Sequence, residues 1–177
     1  MGEKELSNYS YEDYLAIDKT TPENEMVELI FGDIYMMSGA SRKHQDVVLN
    51  IALVFKVLQK EKNCSSVIAP FDIKLQCDSH TNVVQPDVML FCEDENVPCL
   101  VCEVLSPSTA LKDKTVKKEL YECFGIKNYL IVDPLNHYVD KDILKDGKLH
   151  YDKCYGVGDI IYVECLDEKL EVESFFE

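Results

Sequence analysis

Hydrophobic positions along the chain repeat with two different periods, and these periods predict an alternation of strands and helices. A stripe of hydrophobic residues at helical spacing predicts a long helix over residues 42–60, with Ser41 as its N-cap. A second stripe predicts a helix over about residues 112–124, which Gly125 would end in a left-handed conformation. Residues 10–18 predict a short first helix.

Short hydrophobic runs bounded by turn residues predict the strands. The runs are MVELIF, DIYMM, VIAPFDIKLQ, PDVMLF, CLVCEVL, NYLIVDP, HYVDKDIL, KLHYDK, DIIYVECL and KLEVESFF, and the first two form a hairpin joined at Gly32 and Asp33. Their order relative to the helices predicts an α/β protein whose sheet core carries accessory strands. A chain of 177 residues is long enough for one domain with a sizeable core, and we expect a single domain over residues 1–177.

The chain is strongly acidic, and cationic residues are grouped at two places in the sequence. A net charge of −15 argues against a protein that coats nucleic acid, because that function needs a basic surface. Cations are grouped within residues 42–44 and within residues 112–118. These groups either solvate the surface or form a small basic rim around one site, and the sequence leaves both interpretations open.

The expected cellular location of the protein predicts the oxidation state of its cysteines. The first twenty residues contain no hydrophobic core of signal-peptide length, and no run reaches the ~18 hydrophobic residues of a membrane span. We therefore expect a cytoplasmic protein whose eight cysteines are reduced thiols. Cys99 and Cys102 form a Cys-x-x-Cys pair, but a structural zinc site needs about four ligands. We interpret both as small buried side chains.

Two of the hydrophobic runs each contain one carboxylate, Asp87 at the start of PDVMLF and Glu103 inside CLVCEVL. Burying an ionised carboxylate is costly unless a cation is paired with it. Lys117 is a candidate partner, because at about 100° per residue it falls on the hydrophobic side of the second long helix. His44 falls on the hydrophobic stripe of the helix predicted over residues 42–60. The spacing alone leaves a structural salt bridge and a functional site equally open, and His44 could belong to either the core or the site.

The order Pro86-Asp87, then Glu103, then a lysine resembles the PD-(D/E)xK nuclease superfamily. In that motif the lysine usually stands two residues after the glutamate, where this chain has Leu105. In the Uma-two family of predicted restriction endonucleases the lysine has moved to the following helix. The chain resembles that family over most of its length, in the segments VELIFGDIYMMSG, His44-Gln45, PDVMLF, LVCEVLSPST, Asp113, Lys117, Tyr121, Gly125 and NYLIVDP.

The resemblance implies a restriction-endonuclease-like fold, with a mixed β-sheet core flanked by helices and accessory β-hairpins at both ends. It also implies a metal-dependent nuclease in which Asp87, Glu103 and the Val104 carbonyl bind Mg²⁺ or Mn²⁺. Lys117 would orient or activate the attacking water. The family positions near the site also include Glu28 and His44.

The substrate implied by the resemblance is DNA. A homodimer is expected, because cutting a duplex takes two sites related by a twofold axis. A nuclease-fold protein that no longer cuts, and that serves as a binding or assembly module, remains the alternative. An unrelated α/β protein with a structural salt bridge in its core is the third interpretation.

Overall fold

The computed structural model describes residues 8–92 and 96–177. The elements in chain order are α1 (Tyr11–Asp18), β1 (Glu25–Ile30), β2 (Asp33–Ser38), α2 (Arg42–Leu58), β3 (Ser65–Ile68), β4 (Ile73–Cys77), β5 (His80–Val84), β6 (Val88–Phe91), β7 (Leu100–Val104), α3 (Ala110–Lys112), α4 (Lys118–Phe124), β8 (Asn128–Asp133), β9 (Tyr138–Lys145), β10 (Lys148–Gly156), β11 (Ile160–Val163) and β12 (Glu168–Glu171). Within the described residues, no helix is both long enough and hydrophobic enough to span a membrane.

The described chain divides into two compact units, each with its own sheet. The first unit consists of residues 8–39 and Asp72–Gln85, and the second of Ala40–Phe71 and Pro86–Glu177. The expectation that residues 1–177 act as one nuclease-like domain stays a prediction. Each unit is described by itself below.

The first unit is an antiparallel sheet with strand order β2-β1-β5-β4, with α1 packed on β1. Its small core contains Tyr14, Val27, Leu29 and Val83. Buried Asn82 accepts a hydrogen bond from the Phe31 N–H at 2.7 Å and so holds the turn of the predicted hairpin.

The second unit contains a six-stranded mixed sheet with strand order β10-β9-β8-β7-β6-β3. Strands β7 and β8 run parallel, so the chain crosses over between them through α3 and α4. One hydrophobic core joins α2, the middle of the sheet and the β11–β12 hairpin, through residues such as Ile51, Phe55, Leu100, Ile161 and Leu170. The mixed sheet, its flanking helices and the hairpins at both ends of the chain are the architecture expected from the sequence.

The crossover helix differs from a regular α-helix in its middle. It begins at Ala110, forms a π-helical turn over Asp113–Lys117, and continues as α4. Gly125 ends it with φ +85°, which confirms the predicted left-handed end. Single π turns inside helices occur frequently at functional sites.

The predicted strand VIAPFDIKLQ is wrong as a single element. It is two strands, because β3 belongs to the six-stranded sheet and β4 to the four-stranded sheet. Pro70 lies between them, and a proline has no N–H to give to a strand ladder. Strand β5, whose sequence is HTNVV, was not predicted, because only two of its five residues are hydrophobic.

The expectation of reduced cysteines is also wrong for six residues, because disulfide bonds are made by Cys64, Cys77, Cys92, Cys99, Cys123 and Cys165. Cys64 is joined to Cys92, and Cys99 is joined to Cys165. The partners are 28 and 66 residues apart in sequence, so only the folded chain brings them together. Cys102 is a buried free thiol, as expected for a small core side chain.

Gly125→Ala should lower the free energy of unfolding by about 1–2 kcal/mol, because a side chain in the left-handed region is strained. No atom lies within 4 Å of the Cβ position, so the cost is one of backbone conformation. Gly156→Ala is the matched control, since it also has open space but no positive φ. Urea denaturation measures both variants. Equal unfolding free energies would contradict the explanation.

Candidate active site

Strand pairing brings the two predicted carboxylates together. Val88 of β6 pairs with Cys102 of β7 in an antiparallel register, and continuing that register by one residue brings Asp87 beside Glu103. The charges of both carboxylates act on the Cys102 thiol, whose pKa is raised well above its usual value by burial first and then by these charges. The thiol therefore stays protonated at neutral pH.

Asp87 is oriented by two groups of the second unit. Its Oδ2 accepts a hydrogen bond from the Val104 N–H at 2.8 Å. The Nε2 of His44 lies 3.2 Å from the same oxygen, and the His44 side chain is 8% exposed. The histidine therefore faces this site from the N-terminal turn of α2, where the Ser41 hydroxyl accepts the His44 N–H as predicted for an N-cap.

The pKa of His44 results from opposing effects. Burial is the largest and lowers it, but hydrogen bonding to Asp87, the charge of Asp87, the Val104 backbone and the charge of Asp113 carry the pKa above its usual value. The Val104 backbone therefore influences His44 and also donates its N–H to Asp87. The carbonyl of Val104 is the backbone group that the sequence resemblance implies as a metal ligand.

Glu103 is paired with the inward-facing lysine. The Lys117 ammonium donates to Glu103 Oε1 at 2.9 Å, and the two side chains are 2% and 4% exposed. The Tyr121 hydroxyl donates to the same oxygen at 2.6 Å. A buried carboxylate with two donors on one oxygen is stabilised in its charged form.

The crossover helix carries the two partners of Glu103 and one further carboxylate at four-residue intervals on its inner side. These residues are Asp113, Lys117 and Tyr121. The Lys117 ammonium lies 3.8 Å from Asp113 Oδ1. The Tyr129 hydroxyl of β8 donates to the Asp113 carbonyl at 2.9 Å, and its ring packs edge-to-face against Tyr121 at 5.0 Å. The π turn is thus held between the sheet and the helix that follows it.

The donor set of this site suits a hard cation. Asp87, Glu103 and Asp113 contribute three carboxylates, which are contacted by the Lys117 ammonium and by the His44 imidazole. Carboxylate and carbonyl oxygens are the ligands that Mg²⁺ and Mn²⁺ prefer. Asp87, Glu103 and the Val104 carbonyl could hold such an ion.

Partners are also found for Glu28 and Lys118. Glu28 is fully buried in β1 of the first unit, where it accepts a hydrogen bond from the Gln85 N–H at 3.0 Å. Its role near the site stays a prediction. Lys118 belongs to the group of cations at residues 112–118, and its ammonium pairs with buried Asp142 at 2.6 Å.

Three residues of the site were not among the predicted site residues, namely Asp113, Tyr121 and Tyr129. Tyr121 was detectable in principle, because it follows Lys117 by four residues on the same helical side. Tyr129 carries no such local signal, since it comes from the next strand of the parallel pair.

Comparison with known proteins gives consistent results. A family model described as "Putative restriction endonuclease" matches residues 11–160. Uncharacterized protein slr1290 of Synechocystis sp. (strain ATCC 27184 / PCC 6803 / Kazusa) is 31% identical over 140 residues, covering 74% of this chain and 72% of that protein. Uncharacterized protein sll1609 of the same organism is 27% identical over 165 residues, covering 86% and 85%. The crystal structure of a putative nuclease belonging to DUF820 from Anabaena variabilis ATCC 29413 has a TM-score of 0.72 at 15% identity, covering 94% of this chain and 97% of that one.

Tyr121→Phe should destabilise the protein more than Tyr129→Phe does. Both changes remove one buried hydroxyl, but Tyr121 donates to a carboxylate and Tyr129 to a neutral carbonyl. We expect a loss of about 1.5–3 kcal/mol for Tyr121→Phe and about 1 kcal/mol for Tyr129→Phe. Urea denaturation in the presence of a chelator measures both. A larger loss for Tyr129→Phe would contradict the charged pairing at Glu103.

Proposed function

The chain belongs to the Uma2 family, and from this membership we propose that it is a metal-dependent endonuclease that hydrolyses phosphodiester bonds in DNA. The observation that carries the proposal is the placement of Asp87 beside Glu103, with buried Lys117 bonded to Glu103. The restriction-endonuclease-like fold shared with the Anabaena nuclease supports it. The proposal includes a homodimer, for cutting both strands, and a cytoplasmic location.

The proposed ion is Mg²⁺ or Mn²⁺, held by Asp87, Glu103 and the Val104 carbonyl. When bound, such an ion neutralises charge on phosphoryl oxygens and lowers the pKa of a coordinated water. The protein's contribution is to hold its ligands in one orientation. The Val104 N–H and His44 restrain Asp87, while Lys117 and Tyr121 restrain Glu103.

Lys117 and His44 are proposed to act on the substrate side of these carboxylates. The Lys117 ammonium, fixed by Glu103, would donate a hydrogen bond to the attacking water and orient it toward phosphorus. His44, fixed by Asp87, would donate to an oxygen of the scissile phosphate. Glu28 is proposed to assist at the same centre, as its family position implies.

The second candidate function is a binding or assembly module that does not cut. The observation that favours it is the net charge of −15, which would repel a DNA backbone over most of the surface. A module without catalysis has no reason to keep Asp87, Glu103 and Lys117 together, so we prefer the nuclease.

Incubating the purified protein with supercoiled plasmid and Mg²⁺ or Mn²⁺ tests the proposal. We expect nicked and linear products from the parent protein and from Asp140→Asn, whose carboxylate pairs with Lys114 instead. Asp87→Asn should abolish cleavage, because it removes a charged ligand without changing the size of the side chain.

Calorimetry with Mn²⁺ separates the alternatives if no product forms. Binding that Asp87→Asn abolishes, without cleavage by the parent, would favour the binding module. Equal Mn²⁺ binding by the parent, Asp87→Asn and Glu103→Gln would overturn the metal site and with it the nuclease.

Lys117→Met should separate a structural lysine from a catalytic one. Without metal, the variant leaves Glu103 uncompensated and should lose roughly 3–5 kcal/mol of stability. With Mn²⁺ present, the ion balances the carboxylates, so the variant should fold while plasmid cleavage falls by orders of magnitude.

Lys141→Met is the matched control for this experiment. Lys141 is also buried, but it donates to the Tyr162 carbonyl and to Glu164. This variant should lose stability with or without Mn²⁺ and, once folded, cut at the parent rate. A Lys117→Met protein that cuts like the parent would remove Lys117 from the mechanism.

A further inference from the structure

Four cysteines from distant parts of the chain converge at one end of the six-stranded sheet. Cys64 directly precedes β3, and Cys92 directly follows β6. Since Ser65 pairs with Phe91, these two cysteines lie opposite each other beyond the ends of the paired strands. Cys99 directly precedes β7, and Cys165 lies in the turn between β11 and β12.

The sulphur atoms form one group and not two separate pairs. Those of Cys92, Cys99 and Cys165 all lie within 4.8 Å of one another. The fourth sulphur, that of Cys64, is joined to Cys92 and therefore adjoins the same group. All four side chains belong to the edge of the main core; Cys99 is buried and the other three are half-buried.

We propose that these four cysteines, when reduced, form a single tetrathiolate site for a soft divalent cation, namely zinc. Four thiolates arranged tetrahedrally are the ligand set of structural zinc sites, with Zn–S distances of about 2.3 Å. Such a tetrahedron has sulphur–sulphur edges of about 3.8 Å, which the spacing of the group accommodates. The all-sulphur donor set selects against the hard ions proposed at Asp87 and Glu103.

The zinc-bound form and the disulfide form exclude each other, because a sulphur in a disulfide has no thiolate to offer. Each disulfide takes up two electrons and two protons from a dithiol reductant and gives two thiols. Zinc binding then displaces the thiol protons as the Zn–S bonds form. The same four residues therefore link their chain segments in either state, by two covalent bonds or by one ion.

The site would be structural, since it lies at the far end of β6 and β7 from the carboxylates. Asp87 and Cys92 stand at opposite ends of β6, five residues apart and so separated by roughly 15 Å along the strand. An ion held there joins β3, β6, β7 and the β11–β12 hairpin. It would stabilise the β6–β7 register that brings Asp87 beside Glu103, and it does not depend on whether the protein cuts DNA.

Zinc content is the direct test. The parent protein is purified in dithiothreitol without chelator after growth with added zinc, and zinc per chain is measured by inductively coupled plasma mass spectrometry. We expect about one zinc per chain in the parent, in Cys154→Ser and in Asp87→Asn, because Cys154 is an exposed free thiol and Asp87 belongs to the other site. Cys165→Ser should lose the zinc.

Cobalt substitution keeps the proposal testable if Cys165→Ser does not fold. Reduced, metal-free parent protein titrated with Co²⁺ should develop the visible absorption and the sulphur-to-cobalt charge-transfer bands of tetrahedral thiolate coordination. Zinc should then displace the cobalt and remove the bands. Reduced parent protein that binds neither metal would overturn the proposal, as would a Cys165→Ser protein that retains zinc at the parent level.

Discussion

The buried charge of Glu103 is the constraint on which the second unit depends. Every residue of β7 is buried, so the Glu103 carboxylate must find its partners inside the protein. Lys117 and Tyr121 provide them, both on one oxygen. The helix that carries these two residues can therefore pack on the sheet in only one rotational setting, because a rotation would leave an ammonium and a carboxylate buried apart.

The crossover connection between parallel strands β7 and β8 carries the partners of Glu103. The chain leaves β7 just after Glu103, passes through the π turn, and returns along β8 beside the strand it left. The partner of the carboxylate thus comes from the segment that immediately follows it in sequence. Tyr129 of the returning strand closes the arrangement by holding the Asp113 carbonyl. Lys117 thus reaches Glu103 from the helix that follows the strand.

The two metal sites that we propose for this chain lie at opposite ends of strands β6 and β7. One end presents the carboxylates of Asp87 and Glu103, and the other presents the sulphurs around Cys92 and Cys99. Hard and soft ligands select different ions, so the two sites would not compete for the same metal. A stabilising ion at one end and a catalytic ion at the other would both act through the pairing of the same two strands.

Local periodicity in the sequence was sufficient for the helix after Ser41, the first hairpin, the Gly125 helix end and the inward side of Lys117, because each depends on residues within a few positions of one another. The distribution of residues 67–76 over two sheets, the approach of His44 to Asp87 and the grouping of four cysteines depend on contacts across tens of residues. Strand order and register create those contacts, and a single sequence contains no local signal for either. Hence the sequence alone determined which side chains needed partners, and only the tertiary structure decided which partners they received.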